Sequence, residues 1–258
     1  MILEQVYETA KKTLDGKTIC DVRVGLGLMA VEIDNDLVGV TYVLRNEIGH
    51  SCGLLPQAGS LLGMKATEVA QWAIDGKNPL RNAMGLAVLN AAADFENLQQ
   101  IHPSQDADAV FSIEIRESDS IGIIGHIGPV INRLSNKNNP LFIFERDAAK
   151  ETPGVYPESA QPDLLPKCQV IFVTSSTLIN GTLESLLPHC SNAREIVMVG
   201  SSTPLYPEAF RNSGVTVLSG TRWLPSEKNA ILAGISQCAG IKQLMPYGQK
   251  ISTRVPDR

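Results

Sequence analysis

The chain has 258 residues, with 22 Lys and Arg against 27 Asp and Glu and a formal charge of −5 at pH 7. That balance argues against a general nucleic-acid binder, which needs a basic face. Hydrophobic residues make up 43% and charged residues 19% of the chain, enough apolar surface for a sizeable core and not the composition of a disordered segment.

The first predicted element is an amphipathic helix that carries Glu4, Glu8, Lys11, Lys12 and Asp15 on its polar side. The same stretch lacks the apolar core and small-residue cleavage site of an export signal. Apolar runs such as 170–173 fall far short of the roughly 18 residues that cross a bilayer, so no membrane partner is expected. The five cysteines (Cys20, Cys52, Cys168, Cys190, Cys238) contain no CxxC pair and read as reduced thiols of a cytoplasmic protein.

Three strands follow. Cys20, Val22 and Val24 alternate with Asp21 and Arg23, and Met29, Val31 and Ile33 alternate with Ala30 and Glu32. Val38, Val40 and Tyr42 come after the Asp34-Asn35-Asp36 turn, which gives an antiparallel meander. A helix is expected from Thr67 as N-cap, presenting Val69, Trp72 and Ala73 and stopping at Gly76. Asn78 followed by Pro79 marks the next helix start. Leu80, Ala83, Met84, Ala87, Val88 and Ala91 then form one apolar face, with Asn90 at its border.

Beyond the polar stretch 104–108 the pattern changes to short apolar runs at 121–124, 141–144, 170–173, 196–199 and 215–218. Such runs suit parallel strands buried on both faces, and helix-length segments separate most of them. The expected fold class is α/β: a small α+β domain at 1–105, then a Rossmann-like doubly wound parallel sheet at 106–258. Residues 146–166, rich in Pro and Gly, predict a loop with at most a short helix. The strand order stays open between the two common doubly wound forms.

Ligands of open α/β sheets bind at the carboxyl ends of the strands, so the residues after each run are the site candidates. Gly125 and Gly128 would let an anionic or nucleotide-like group approach the following helix, and Glu145, 20 residues on from Gly125, could accept hydrogen bonds from ribose hydroxyls. Ile123 stands where a GxGxxG fingerprint needs its first glycine, which disfavours NAD. The alternative is that the glycines only permit a tight turn and Glu145 pairs with Arg146 or solvent. Two turns rich in hydroxyls and amides, 174–184 and 200–207, could line one cleft, or Thr177, Thr182 and Ser202 could simply cap helices. His50 with Cys52 and His189 with Cys190 are the nearest approaches to metal-ligand spacing, and neither is a metal motif, so no metal ligand is assigned. GxSxG, Walker and HExxH motifs do not occur.

The strings VGLGLMAVEI, GLAVLNAAAD, SIGIIGHIGPVI, FIFER, VIFVTSSTLINGTLESLL and VMVGSSTPLYPEAF, in that order, resemble the prokaryotic putative heavy-metal chelation family. The resemblance runs from about residue 5 to 235 and implies an enolase N-terminal-like domain followed by a Rossmann-like one, with a cleft between them partly like a methyltransferase nucleotide site. It also implies condensation or hydrolysis in making a flavin, pterin or siderophore-like chelator. Carried over by position, Gly125, Gly128 and Glu145 lie near the nucleotide-like site, and Thr174, Ser175, Asn180, Thr182, Ser201, Ser202 and Thr203 lie around the cleft. The turn Gly25 to Gly27, His50 and Asn90 face them from the first domain. Glu145 and His126, the titratable groups nearest the strand ends, are the acid/base candidates. The expected partner is a small polar ligand, nucleotide-like or a metal chelate, and homodimerisation follows only from the frequency of homo-oligomers. A non-catalytic binding protein for a metal chelate is the main alternative to an enzyme.

Overall fold

The computed structural model describes residues 1–49, 53–101, 112–146 and 154–256. Among the described residues ten strands form two sheets. The smaller is the antiparallel order β1(Ile19–Val24), β2(Leu28–Ile33), β3(Leu37–Tyr42). Asn35 and Asp36, both at positive φ (70° and 60°), make its β2–β3 turn, as short polar side chains tolerate.

The seven-stranded sheet contains β4(Ile121–Ile124), β5(Leu141–Phe144), β6(Val155–Tyr156), β7(Val170–Thr174), β8(Glu195–Val199), β9(Val217–Trp223) and β10(Gly248–Arg254). Their spatial order is β10-β9-β8-β7-β4-β5-β6. All neighbours are parallel except β9 and β10. Read from β6 to β9 this is the Rossmann order 3-2-1-4-5-6, one of the two forms the sequence left open. The order reverses between β4 and β7.

The helices are α1(Ile2–Leu14), α2(Ala66–Ala70), α3(Pro79–Ala91), α4(Gly128–Leu134), α5(Gln161–Leu164), α6(Ser176–Ile179), α7(Leu183–Leu186), α8(Lys228–Ser236) and α9(Ile241–Leu244). Among the described residues no helix is long and apolar enough to cross a membrane.

The helix α3 starts as the sequence predicts: Asn78 Oδ1 accepts from the Arg81 N–H at 2.9 Å, with Pro79 in the first turn. Every residue from Arg81 to Ala91 is nonetheless buried, rather than one stripe, because α3 lies between the small sheet and the connections of the large one. Thr41 of β3 donates to the Ala83 carbonyl, Asn82 donates to the Ile179 carbonyl at 2.9 Å and the Tyr206 hydroxyl donates to the Leu89 carbonyl at 2.6 Å. Two glycines make this fit possible. A Cβ on Gly39 would lie 1.9 Å from the Ala87 carbonyl oxygen, and one on Gly85 would lie 2.2 Å from the Ala73 nitrogen.

The other face of the small sheet is covered by α8, which the chain reaches some 200 residues later. Leu28, Ala30, Val38 and Val40 pack with Ile231, Leu232 and Ile235, and Lys228 binds Glu32 and Asp36 at 2.6 Å each. Covering on both sides explains why all six residues of β2 are buried, where period-two alternation predicts one solvated face.

Several local expectations need correction. The helix expected from Thr67 has Lys65 as N-cap and covers Ala66–Ala70, followed by a 3₁₀ turn at Gln71–Ala73. In β1 a register shift between Ile19 and Asp21 breaks the alternation, and Val24 is exposed. The Pro- and Gly-rich segment holds the two-residue strand β6 besides 3₁₀ turns and α5. The crossovers are shorter than helix length: α6 and α7 have four residues each, and a 3₁₀ turn at Pro207–Phe210 joins β8 towards β9. The run 215–218 continues as β9 to Trp223 because the antiparallel partner β10 extends its ladder.

Candidate functional site

The strand-order reversal opens a cleft of about 880 Å³ at the carboxyl ends of the large sheet, where the ladders of β4 and β7 feed loops that diverge to opposite faces. Its floor comes from the turns after β4, β5, β7 and β8 and from residues 219–221 within β9. Its opposite wall is residues 42–47, the last residue of β3 and the loop after it.

Of the sequence-predicted site residues, Gly125, His126, Gly128, Glu145, Thr174, Asn180, Thr182 and Ser201 line this cleft. Ser175, Ser202, Thr203 and Asn90 lie behind its surface and are almost fully buried. Ser202 Oγ accepts from the Tyr42 N–H at 2.8 Å and so joins β3 to the β8 turn. Asn90 reaches the Val40 and Ser201 carbonyls at 3.5 Å. His50 lies outside the described residues, as does Cys52. The turn Gly25 to Gly27 packs elsewhere: a Cβ on Gly25 would sit 2.6 Å from the Ile235 carbonyl oxygen at the end of α8. Ser219 and Gly220, expected after the last strand, line the cleft from within β9.

The turn after β4 is tight. Gly125 has φ 84°, and a Cβ there would meet Thr174 Cγ2 at 2.8 Å, so glycine is required on both counts. Three of the four amides of this turn are already spent. Gly125 N–H donates to the Phe144 carbonyl at 2.8 Å, Ile127 to Gly125 at 2.9 Å and Gly128 to His126 at 3.0 Å. A phosphate-cradling loop points such N–H groups at its ligand instead. The tight-turn reading therefore accounts for Gly125, whereas Gly128 has no positive φ and nothing within 4 Å of an added Cβ.

Glu145 does not pair with Arg146. Its backbone N–H donates to the Tyr156 carbonyl at 3.0 Å, while its carboxylate oxygen Oε2 is buried without a hydrogen-bond partner. Arg146 turns to other carboxylates, Glu47 at 2.7 Å and Glu158 at 3.0 Å. Glu47 also accepts from Asn180 Nδ2 at 3.1 Å, and Asn180 Oδ1 accepts from the Thr182 hydroxyl at 2.8 Å. One network thus ties the loop after β3 to the ends of β5 and β7.

The hydroxyls in and just after the 174–184 turn serve mainly local structure, but none of Thr177, Thr182 and Ser202 makes the helix-capping bond that the alternative expected. Thr177 donates to the Thr174 carbonyl at 2.7 Å and Ser185 to the Thr182 carbonyl at 2.9 Å, although Thr182, N-cap of α7, makes no side-chain cap bond. Ser201 differs: it is buried, lines the cleft, and its Oγ has no hydrogen-bond partner. Burial pushes the nearby Tyr42 phenol up, and the closeness of Ser201 offsets this only in part. His126 is exposed at the rim. Among the described residues no three His, Cys, Asp or Glu side chains converge on a metal-sized point.

Glu47 and Glu158 escaped the sequence reading, and Tyr42 entered it only as a residue of the third strand. Arg146 was named beside Glu145 after the second apolar run, without the role in the network that its two carboxylate partners give it.

Two family models, both described as putative heavy-metal chelation, match residues 7–93 and 108–254. The chain belongs to the putative heavy-metal chelation family. A protein of Methanocaldococcus jannaschii described as uncharacterized is 25% identical over 237 residues, 88% of this chain and 89% of its own. Two crystal structures of family members of unknown function share the fold. The Pyrococcus horikoshii protein is 22% identical, covers 99% of this chain and 100% of its own, and superposes with a TM-score of 0.78. The Desulfitobacterium hafniense protein is also 22% identical, covers 97% and 98%, and gives 0.75. The resemblance read from the sequence strings is thus the family found, and it carries the fold of the whole chain.

Proposed function

We propose that this member of the heavy-metal chelation family binds a small polar metabolite of the metal-chelating kind in the cleft and transforms it. The reading treats 1–105 and 106–258 as two domains that meet there. The observation that carries it is Glu145 Oε2, a buried carboxylate oxygen without a protein partner, on the floor of a cleft at the strand-order reversal. A buried acceptor left unmade costs about 1–3 kcal/mol, which a ligand donor would recover. Condensation or hydrolysis is the reaction class that the family resemblance supports, with Glu145 and His126 as the acid/base pair.

The test is native mass spectrometry of protein purified without chelator, with elemental analysis and a denatured extract of the same sample. A co-purifying organic molecule sets the substrate class. Metal in stoichiometric amount without one would move chelation to side chains and overturn this reading. Turnover of the molecule found, and its loss in Glu145→Gln/His126→Asn, separates an enzyme from the alternative of a non-catalytic chelate-binding protein. The internal bonding of Asn180, Thr177 and Thr182 favours that alternative, since those groups hold the cleft's shape and are already committed.

A further inference from the structure

The small sheet has an open edge. Its order is β1-β2-β3, and the cleft wall continues from β3, so β1 is the outer strand on the side away from the site. Its hairpin with β2 decides which backbone groups point outward. Gly25 N–H donates to the Leu28 carbonyl at 2.9 Å, and antiparallel partners alternate between bonded and non-bonded pairs. With Arg23 opposite Ala30 and Asp21 opposite Glu32, Arg23 and Asp21 bond to β2, and Val22 and Val24 turn their N–H and C=O groups out. The register shift between Ile19 and Asp21 reverses the sense at Ile19, whose outward groups bond to Gly63 and Met64 at 2.9 Å each. Among the described residues, no backbone bond reaches Val22 or Val24 from that side.

The side chains on this edge favour pairing. Among the described residues four large hydrophobic side chains are exposed, and Val24, Leu26 and Leu62 are three of them. Val24 and Leu26 stand on β1 and its turn, and Leu62 precedes the Gly63 that bonds to Ile19. An exposed apolar edge is a template for another strand. The two charges on it have opposite sign. Asp21 and Arg23 face the α8 side of the sheet, in register with Glu32 and Ala30, and pair within the strand at 2.7 Å. The strand carries no row of like charge that would repel a second copy.

We propose that β1 pairs antiparallel with β1 of a second copy about a two-fold axis at Val22, joining the two small sheets into one. Charge selects the axis. With Val22 opposite the partner's Val22, Asp21 faces the partner's Arg23 and Arg23 faces the partner's Asp21, at the non-hydrogen-bonded positions where side chains come closest. An axis at Arg23 would satisfy the same outward groups but set the two Arg23 side chains against each other, which is destabilising. The Val22 axis also puts the partner's Gly25 level with Ile19, whose edge residues 63 and 64 already occupy, so the ladder ends there and the partner's Leu26 meets Leu62. The contact is closed and isologous. Both clefts lie beyond β3 and stay open, so the inference stands independently of the proposed function.

Sedimentation velocity over a range of concentrations tests the interface. A ladder this short falls below the roughly 1,600 Å² of a standard interface, so wild type is expected to pass from monomer to dimer between about 1 and 200 μM. Asp21→Arg and Arg23→Asp each turn both symmetry-related pairs from attractive to repulsive, and each alone is expected to dimerise at least about tenfold more weakly. Mixed in equal amounts they should associate as wild type does, because the arginines of one then face the aspartates of the other. A pair that acted only within its own strand could not produce this. Both variants should melt within a few degrees of wild type, since an exposed ion pair contributes little to folding. Wild type that stays monomeric throughout, single variants that dimerise as wild type does, or a mixture that stays monomeric would each overturn the interface.

Discussion

The Arg146 guanidinium lies 2.7 Å from the Glu47 carboxylate and thereby joins the end of β5 to the loop that follows β3, across the mouth of the cleft. Glu158 takes the other edge of the same guanidinium at 3.0 Å. Half-exposed ion pairs contribute only about 0–1 kcal/mol each, so the network's main consequence is the position of the 42–47 wall rather than global stability. Arg146→Met should therefore lower the melting temperature by no more than a few degrees while weakening ligand retention severalfold. Raising salt from 0.05 to 0.5 M, estimated to screen the same contacts, should reproduce the weakening in wild type and add little in the variant. Thermal melts beside titration at both salt levels check this, and unchanged retention in Arg146→Met would show that the wall holds its place without the pair.

A second ion pair acts on folding. Asp119 is 2% exposed, receives Arg194 at 2.6 and 2.7 Å and accepts the Arg116 N–H at 2.7 Å. Burial pushes its carboxyl up, but Arg194 and the Arg116 amide outweigh that and hold it below the ordinary carboxylate range. A group with a depressed folded pKa stabilises the native state above its unfolded value, near 3.9, and loses that contribution as pH falls through the folded value. Wild type should lose stability below about pH 4 in part through this group. Asp119→Asn should be less stable by about 3 kcal/mol at pH 7, the usual cost of breaking a buried pair, and should show a flatter decline in acid. Urea unfolding at pH 7, 4 and 3 measures both effects; parallel pH profiles of the two proteins would exclude Asp119 as a source.

How far the sequence reveals this molecule depends on which contacts are local. Asn78-Pro79 announces α3 because cap and helix are neighbours in the chain, and the apolar runs announce β4, β7 and β8 because burial on both faces leaves its mark within four residues, while β5 is announced by its apolar run although it is only partly buried. The strand β10 left no such mark: its Gly248 to Lys250 are half-buried polar or flexible positions, and its place is fixed by backbone pairing with β9. Glu145 was found because the sheet rule points at strand ends. Glu47 was not, because only the packing of α3 and α8 around the small sheet brings residues 42–47 over the large one.

That packing predicts where the fold is least forgiving. A Cβ at Gly39 would lie 1.9 Å from the Ala87 carbonyl oxygen and 2.6 Å from the Ala91 nitrogen, both backbone atoms of α3 that cannot rotate aside. Gly39→Ala must separate β3 from α3 and should cost about 3 kcal/mol or more, the upper range of overpacking. Gly27→Ala, with nothing within 4 Å of its added Cβ, should stay within about 1 kcal/mol of wild type. Chemical denaturation of the pair checks the contrast, and equal stabilities would mean that the β3–α3 contact yields easily.

The thiols give the last prediction. Burial pushes Cys168 up to about 11 and Cys190 up to about 12, so near pH 8 both are protonated as well as enclosed, and the thiolate is the reactive form. Cys20 and Cys238 are exposed, although burial of the Cys20 sulfur and its contact with Asp34 also push that thiol up. Among the four cysteines of the described residues, iodoacetamide at pH 8 should therefore label Cys238 first and Cys20 more slowly, with Cys168 and Cys190 modified only in denaturant. Peptide mapping of timed samples reads the order. Labelling of Cys168 or Cys190 in the native protein at the rate of Cys20 would show that the layer between the large sheet and its short crossover helices opens far more readily than its packing implies.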